Sequence, residues 1–259
     1  MKALITGASS GFGWDMAHIL SDMGYDIIAV ARREERLEKL KSELKTEVEI
    51  VSCDVTSMES CVELAKRADE VDVLINNAGF GVFGAFDTTS LEDEIAMIDT
   101  NIKAMHTIMK LFLPSFKKRN SGYIMNVASL AAFFPGPLFA SYYATKAYVL
   151  RLTQSVCEEL RRDNSKVKVC ALCPGPAHTG FAKTAKVSFG MGSEGGIAKR
   201  VVLTSSEVSS YAIRQMFRGK SVIVPGFIMK IGVFARHFLS DTFLAKAVYA
   251  IQSKKMTIK

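Results

Sequence analysis

The sequence predicts a single doubly wound α/β domain: a parallel sheet of about seven strands with helices on both faces. Three observations lead there. Short β-type runs alternate with helix-length segments along most of the chain, the runs are nearly continuously apolar, and no repeat or linker interrupts them. Strands covered on both faces read this way, and the intervening helices supply the crossovers that parallel pairing requires. A chain of 259 residues suits one such domain.

The strands are expected at KALIT (2–6), DIIAV (26–30), VEIVS (48–52), DVLIN (72–76), GYIMNV (122–127), VKVCAL (167–172) and SVIVP (221–225). After the second, RREERLEKLKSELKTE (32–47) sets Leu37, Leu40 and Leu44 at helical spacing among charges of both signs, which predicts an amphipathic surface helix. Thr56 with Glu59, and Thr204 with Glu207, have the Thr-x-x-Glu spacing of a capping box. Residues 176–203 contain SFGMGSEGG and read as a substrate lid or binding loop. Residues 227–251 form an apolar helical tail broken by Lys230, Arg236, Asp241 and Lys246, far short of the roughly 20 uncharged residues that span a bilayer. Core, lid or subunit packing is the expected use of this tail, with membrane-surface contact the alternative.

Composition excludes several functions. The net charge of +7 is scattered rather than gathered in a stripe, so no nucleic-acid partner is expected. Five irregularly spaced cysteines do not make a disulfide framework. Cys170 and Cys173 lie three apart on a strand and so face opposite ways, roughly 10 Å apart. His18, His106, His178 and His237 lack metal-ligand spacing, and no metal is expected. The first strand begins at Lys2 and leaves no room for a leader, so a cytoplasmic protein is expected.

TGASSGFG (6–13) follows the first strand and opens a helix, the context of a glycine-rich phosphate loop. Gly7 suits a tight turn, Gly11 a close approach of backbone to a pyrophosphate, and Gly13 close helix packing; Ser9, Ser10 and Phe12 share the loop. The second strand then ends in Ala31, Arg32 and Arg33, where an NAD site places an acid. Guanidinium groups bind a 2′-phosphate that a carboxylate would repel, so NADP(H) is expected over NAD(H). The rival reading gives the ribose to Glu34 or Glu35, which also read as acids of a first helical turn.

YYATK (142–146) sets two tyrosines ahead of a lysine, and on a helix both Tyr142 and Tyr143 could reach Lys146. Periodicity does not choose between them. With TGASSGFG at 6, CDV at 53, NNAG at 76, NIKA at 101, NVAS at 126 and PGPAHT at 174, in that order, the chain from Lys2 to about Gly226 resembles the short-chain dehydrogenase/reductase family. The family pattern, Tyr-x-x-x-Lys, selects Tyr142, with Ser129 thirteen residues before it. The resemblance implies a Rossmann-type fold with Asp54 and Val55 near the adenine, Asn77, Ala78 and Gly79 on the ribose side, and Pro174 and Thr179 near the nicotinamide. Tyr142 would be the acid/base and Lys146 would lower its pKa while also binding ribose. Ser129 would orient the substrate oxygen, and Asn101 would hold a relay water. The chain departs from many members after its last strand, where GKSVIVPGF leads into the apolar tail.

FGVFGAF (80–86) and LAAFFPGPLFA (130–140) are expected to frame the cleft with apolar walls. Such walls select a lipophilic ketone or secondary alcohol, for example a steroid, bile acid or acyl-chain carbonyl. The alternatives are a reductase of small polar carbonyls and a noncatalytic NADP(H)-binding regulator, and a homodimer or homotetramer is expected.

Overall fold

In the computed structural model, residues 1–177 and 203–256 are described. Seven parallel strands form one sheet in the order β3-β2-β1-β4-β5-β6-β7. They are β1 (Lys2–Thr6), β2 (Asp26–Ala31), β3 (Val48–Ser52), β4 (Val73–Asn76), β5 (Tyr123–Val127), β6 (Lys168–Leu172) and β7 (Val222–Ile223). The last is only two residues long, because Pro225 and the positive φ of Gly226 turn the chain away.

Period-two alternation divides the sheet between two cores. Leu4, Ile28, Leu74, Ile124 and Val169 face one side, where Leu64 of α3 (Met58–Ala65), Phe112 of α5 (Met105–Arg119) and Leu150 of α6 (Ala140–Arg162) cover them. Ile5, Ile27, Ile75, Met125 and Cys170 face the other, under Leu20 of α1 (Gly11–Asp22), Leu37 and Leu40 of α2 (Glu34–Glu43) and Ile213 of α7 (Ser205–Phe217). Cys170 and Cys173 fall in opposite cores, as strand geometry requires, and both are free thiols.

Two local expectations shift. Thr204 and Glu207 do form a capping box at the start of α7, but α3 is capped by Ser57, whose side chain accepts from Ser60 N. Thr56 instead gives its backbone N–H and hydroxyl to Asp54 Oδ1, at 2.9 and 2.8 Å, which takes it out of the capping position. The helix α2 stops at Glu43, and Leu44 lies just beyond it in extended backbone, half-buried.

From β1 the chain runs outward through β2 to β3 and then crosses back to β4 on the other side of β1, so a crevice opens at the strand C-termini where the order reverses. The predicted site loops gather at this end. Beyond β7 come α8 (Phe227–Ala235), a single 3-10 turn (Arg236–Phe238) and α9 (Asp241–Met256).

Candidate active site

A cavity of about 1130 Å³ fills the crevice, running from Arg32 and Asp54 at one end to Tyr142 and α9 at the other. The glycine-rich loop forms its base. Gly7 and Gly11 have φ of +67° and +58°, backbone that side-chain-bearing residues adopt only at a cost. Gly13 lies outside the cavity but permits it: a Cβ there would stand 2.5 Å from the Gly7 carbonyl oxygen. The first turn of α1 holds no acid, and the Ser10 side chain makes no capping bond, so the helix amides face the cavity without an internal anion.

At the ribose end, Arg33 Nη2 donates to Ser9 Oγ at 3.0 Å and to Ser10 Oγ at 3.5 Å, while Arg36 Nε donates to the Ser9 carbonyl at 3.3 Å. Arg32, Arg33, Ser9 and Ser10 line the cavity. Glu34 and Glu35 sit exposed in the first turn of α2 and do not line it. Asp54 also lines the wall, its carboxyl held below the usual carboxylate range by the Thr56 hydrogen bonds. Asn77 fastens the end of β4 to the phosphate loop, donating from Nδ2 to the carbonyls of Thr6 at 3.0 Å and Gly7 at 3.2 Å.

Ser129, Tyr142 and Lys146 meet on the cavity floor. Tyr142 and Lys146 share one face of α6, with Lys146 Nζ 5.8 Å from the Tyr142 ring centroid. The Tyr142 hydroxyl is hydrogen-bonded to Ser129, whose Oγ also accepts from Ala131 N at 3.1 Å. Phe139 stacks on the Tyr142 ring with centroids 4.4 Å apart, shutting water from that face. Tyr143 also lines the cavity, but its hydroxyl accepts from Gln252 Nε2 at 3.0 Å and its ring packs over Gly136, where any Cβ would collide with it.

The charges differ from the expectation. Burial pushes the Tyr142 phenol up to about 12, with the Ser129 bond only partly opposing it. Burial also brings the Lys146 ammonium down to about 8, while its Nζ donates to the Val127 carbonyl at 2.9 Å. Desolvation outweighs attraction because both groups are enclosed and the ammonium stands beyond direct contact. The folded lysine titrates below the unfolded one, so its charge destabilises the fold at neutral pH, and the cost is relieved as pH rises from about 8 toward 10.5. That cost is roughly 3 kcal/mol before the Val127 bond offsets part of it. Lys146→Met should therefore keep or raise Tm at pH 7 by about 2–4 °C, against a loss of turnover; calorimetry of the variant checks this, and a clear fall in Tm would contradict it.

Asn101 lies in a π-helical turn (Asp99–Ala104) between α4 (Leu91–Ile98) and α5, a distortion that sequence periodicity does not announce. Its amide donates to the Phe80 carbonyl at 2.9 Å and Thr145 Oγ1 at 3.0 Å, and its Oδ1 accepts from Phe80 N at 3.0 Å. The side chain thus braces the loop after β4 against α6. Gly79 fits between: a Cβ there would lie 2.7 Å from Asn101 Oδ1 and 3.3 Å from Lys146 Nζ.

The apolar loops divide between core and wall. Phe83 packs edge-on to Phe139, Phe80, Leu130, Phe134 and Phe139 line the cavity, and Phe86 is exposed. Pro174 lines it too, its carbonyl accepting from Leu130 N at 2.8 Å. Thr179 and most of the expected lid (178–202) lie outside the described residues. The tail closes the far end through Met229, Leu244, Val248 and Gln252, residues that motif reading did not single out. The available signal was Gln252, a polar residue at helical spacing from Val248 on an otherwise apolar face.

A crevice at the ends of a parallel sheet, with a glycine-rich phosphate loop and a buried Ser-Tyr-Lys set, defines a Rossmann-type dinucleotide oxidoreductase. The short chain dehydrogenase model matches residues 1–188, and the chain belongs to the short-chain dehydrogenase/reductase family. It is 34% identical over 180 residues to the NADP-dependent 3-hydroxy acid dehydrogenase of Escherichia coli, covering 68% of this chain and 72% of that one. A short-chain dehydrogenase from Sphingobium yanoikuyae in complex with NADPH superposes with a TM-score of 0.79 at 28% identity, covering 100% of this chain and 96% of that one. The bulky-bulky ketone specific alcohol dehydrogenase of Comamonas testosteroni gives a TM-score of 0.74 at 25% identity, covering 100% and 94%. The protein is an oxidoreductase of this family that uses NADP(H). The residues fit that group: the α1 amides and small loop residues suit a pyrophosphate, and the Arg33–Ser9–Ser10 cluster suits a 2′-phosphate.

Proposed function

We propose that the protein interconverts lipophilic ketones and secondary alcohols, with Tyr142 as the acid/base. The observation that carries this reading is the Tyr142 hydroxyl, buried against Ser129 on the floor of a cavity whose far end is walled by Leu130, Phe134, Phe139, Met229, Leu244 and Val248. NADP(H), when bound, supplies or takes up the hydride. In the proposed arrangement Gly7, Ser9, Ser10, Gly11 and Phe12 cradle its pyrophosphate, Gly13 lets α1 pack close beneath that loop, and Arg32 and Arg33 take the 2′-phosphate. Asp54 and Val55 flank the adenine, while Asn77, Ala78, Gly79 and Lys146 serve the ribose, and Pro174 the nicotinamide.

Ser129 holds the substrate oxygen beside Tyr142. A phenol near 12 keeps its proton through the neutral range, yet it gives it readily to an alkoxide, whose affinity for a proton is close to that of hydroxide at about 15.7. The site thus favours reduction near pH 7. Lys146 stabilises the phenolate left behind only while it is protonated. Reductive turnover should accordingly be level below about pH 7 and fall as pH rises through about 8, which a pH–rate profile measures. A profile flat to pH 10 would remove Lys146 from this scheme.

The substrate class is tested by following NADPH consumption across bulky ketones, steroid and bile-acid ketones and short 3-oxo acids. The E. coli relative's name supports the acids as a second reading. Preference for the bulky ketones supports the apolar wall as the selector, whereas turnover of the acids alone rejects it. Tight NADPH binding with no turnover of any member would favour a regulator.

A further inference from the structure

The cavity uses one side of the tail and leaves another side bare. Phe227, Ile231, Phe234 and Phe238 recur at intervals of four, three and four residues, one face of α8 and the turn that follows it. They are 77%, 50%, 66% and 76% exposed, and α8 buries none of its nine residues. Phe234 and Phe238 meet edge to face with centroids 5.4 Å apart, and Ile228 and Phe243 are also exposed. At about 200 Å² a ring, Phe227, Phe234 and Phe238 present roughly 400 Å², the size of a monomer's largest apolar patch, which is often a functional one.

The tail that carries this face is also cationic. Lys230, Arg236, Lys246 and Lys254 stand against one acid in the described tail, Asp241. The ion pairs of the described residues all lie at or before Asp163, so among the described residues none of these cations pairs with a carboxylate. Lys230 donates to the Tyr211 hydroxyl at 2.9 Å, and Arg236 Nε is buried with no hydrogen-bond partner. No helix among the described residues is long and apolar enough to cross a membrane.

We propose that α8 and the turn after it form an interfacial anchor for an anionic lipid surface. The phenylalanine stripe enters the acyl boundary, and Arg236, Lys246 and Lys254 meet headgroup phosphates. A second copy of the chain fits less well, because an isologous contact through this face would bring two sets of unpaired cations together. The surface stands apart from the reaction proposed above, since its residues are neither Ser129, Tyr142 and Lys146 nor cofactor contacts.

Flotation of the full chain with vesicles tests it. The protein should rise with phosphatidylcholine vesicles containing about 30% phosphatidylglycerol, and at least about fivefold less with phosphatidylcholine alone or in about 0.5 M NaCl. The triple variant Phe227→Ser, Phe234→Ser, Phe238→Ser should lower the bound fraction at least about tenfold, and Arg236→Gln several-fold. NADPH affinity and sedimentation coefficient should stay unchanged in both, showing that the fold is intact. A wild-type protein that fails to float with either vesicle overturns the proposal. So does a triple variant that changes oligomeric state, which would mark a face for self-association.

Discussion

Replacing Tyr142 by phenylalanine is expected to lower reductive kcat by about 10²–10⁴-fold while leaving NADPH affinity nearly unchanged. The hydroxyl is the atom removed; the ring keeps its stack on Phe139 and its place on α6. In the proposed mechanism the alkoxide formed on the substrate would then have Ser129 beside it but would lose its proton donor. Tyr143→Phe is the matched control. Its hydroxyl binds Gln252 rather than Ser129, so the expected change is modest and confined to KM. Steady-state kinetics of the two variants separate the tyrosines, and a larger loss in kcat from Tyr143→Phe would reverse the assignment.

Arg33→Ala should weaken NADPH about 10–150-fold, as expected for losing 1.5–3 kcal/mol of charge-assisted hydrogen bonding to a phosphate. NADH, which lacks that phosphate, should weaken by far less. Because Arg33 also braces Ser9 and Ser10, the comparison of the two cofactors is what decides. Fluorescence titration with each gives the ratio. An equal loss for both would mean that Arg33 serves only to shape the loop.

The strands were legible because burial on both faces writes an apolar run into the sequence, and six of the seven expected runs became strands of four to six residues. The seventh was cut to two by Pro225 and Gly226. The glycine loop and the Ser129, Tyr142 and Lys146 set were legible as spacings, and the fold brings them to one cavity. Three features were not legible, each for a physical reason. Charge states depend on enclosure, which Phe139 and the surrounding core create from distant sequence. The bracing by Asn101 depends on a π-helical turn that joins two otherwise ordinary helices. The tail's division into a cavity face and a bare face depends on where α8 and α9 dock, since both faces are apolar in sequence.

The proposed chemistry is tested most directly by transfer of label. Wild-type protein is incubated with a bulky ketone and NADPH deuterated at the reactive carbon, in parallel for the two faces of that carbon, and the product is read by mass spectrometry. The account predicts one deuterium on the new carbinol carbon from one labelled form, and at least about a hundredfold less labelled alcohol from Tyr142→Phe in the same time. Tight NADPH binding with unlabelled product, or with no alcohol from any ketone, would contradict it.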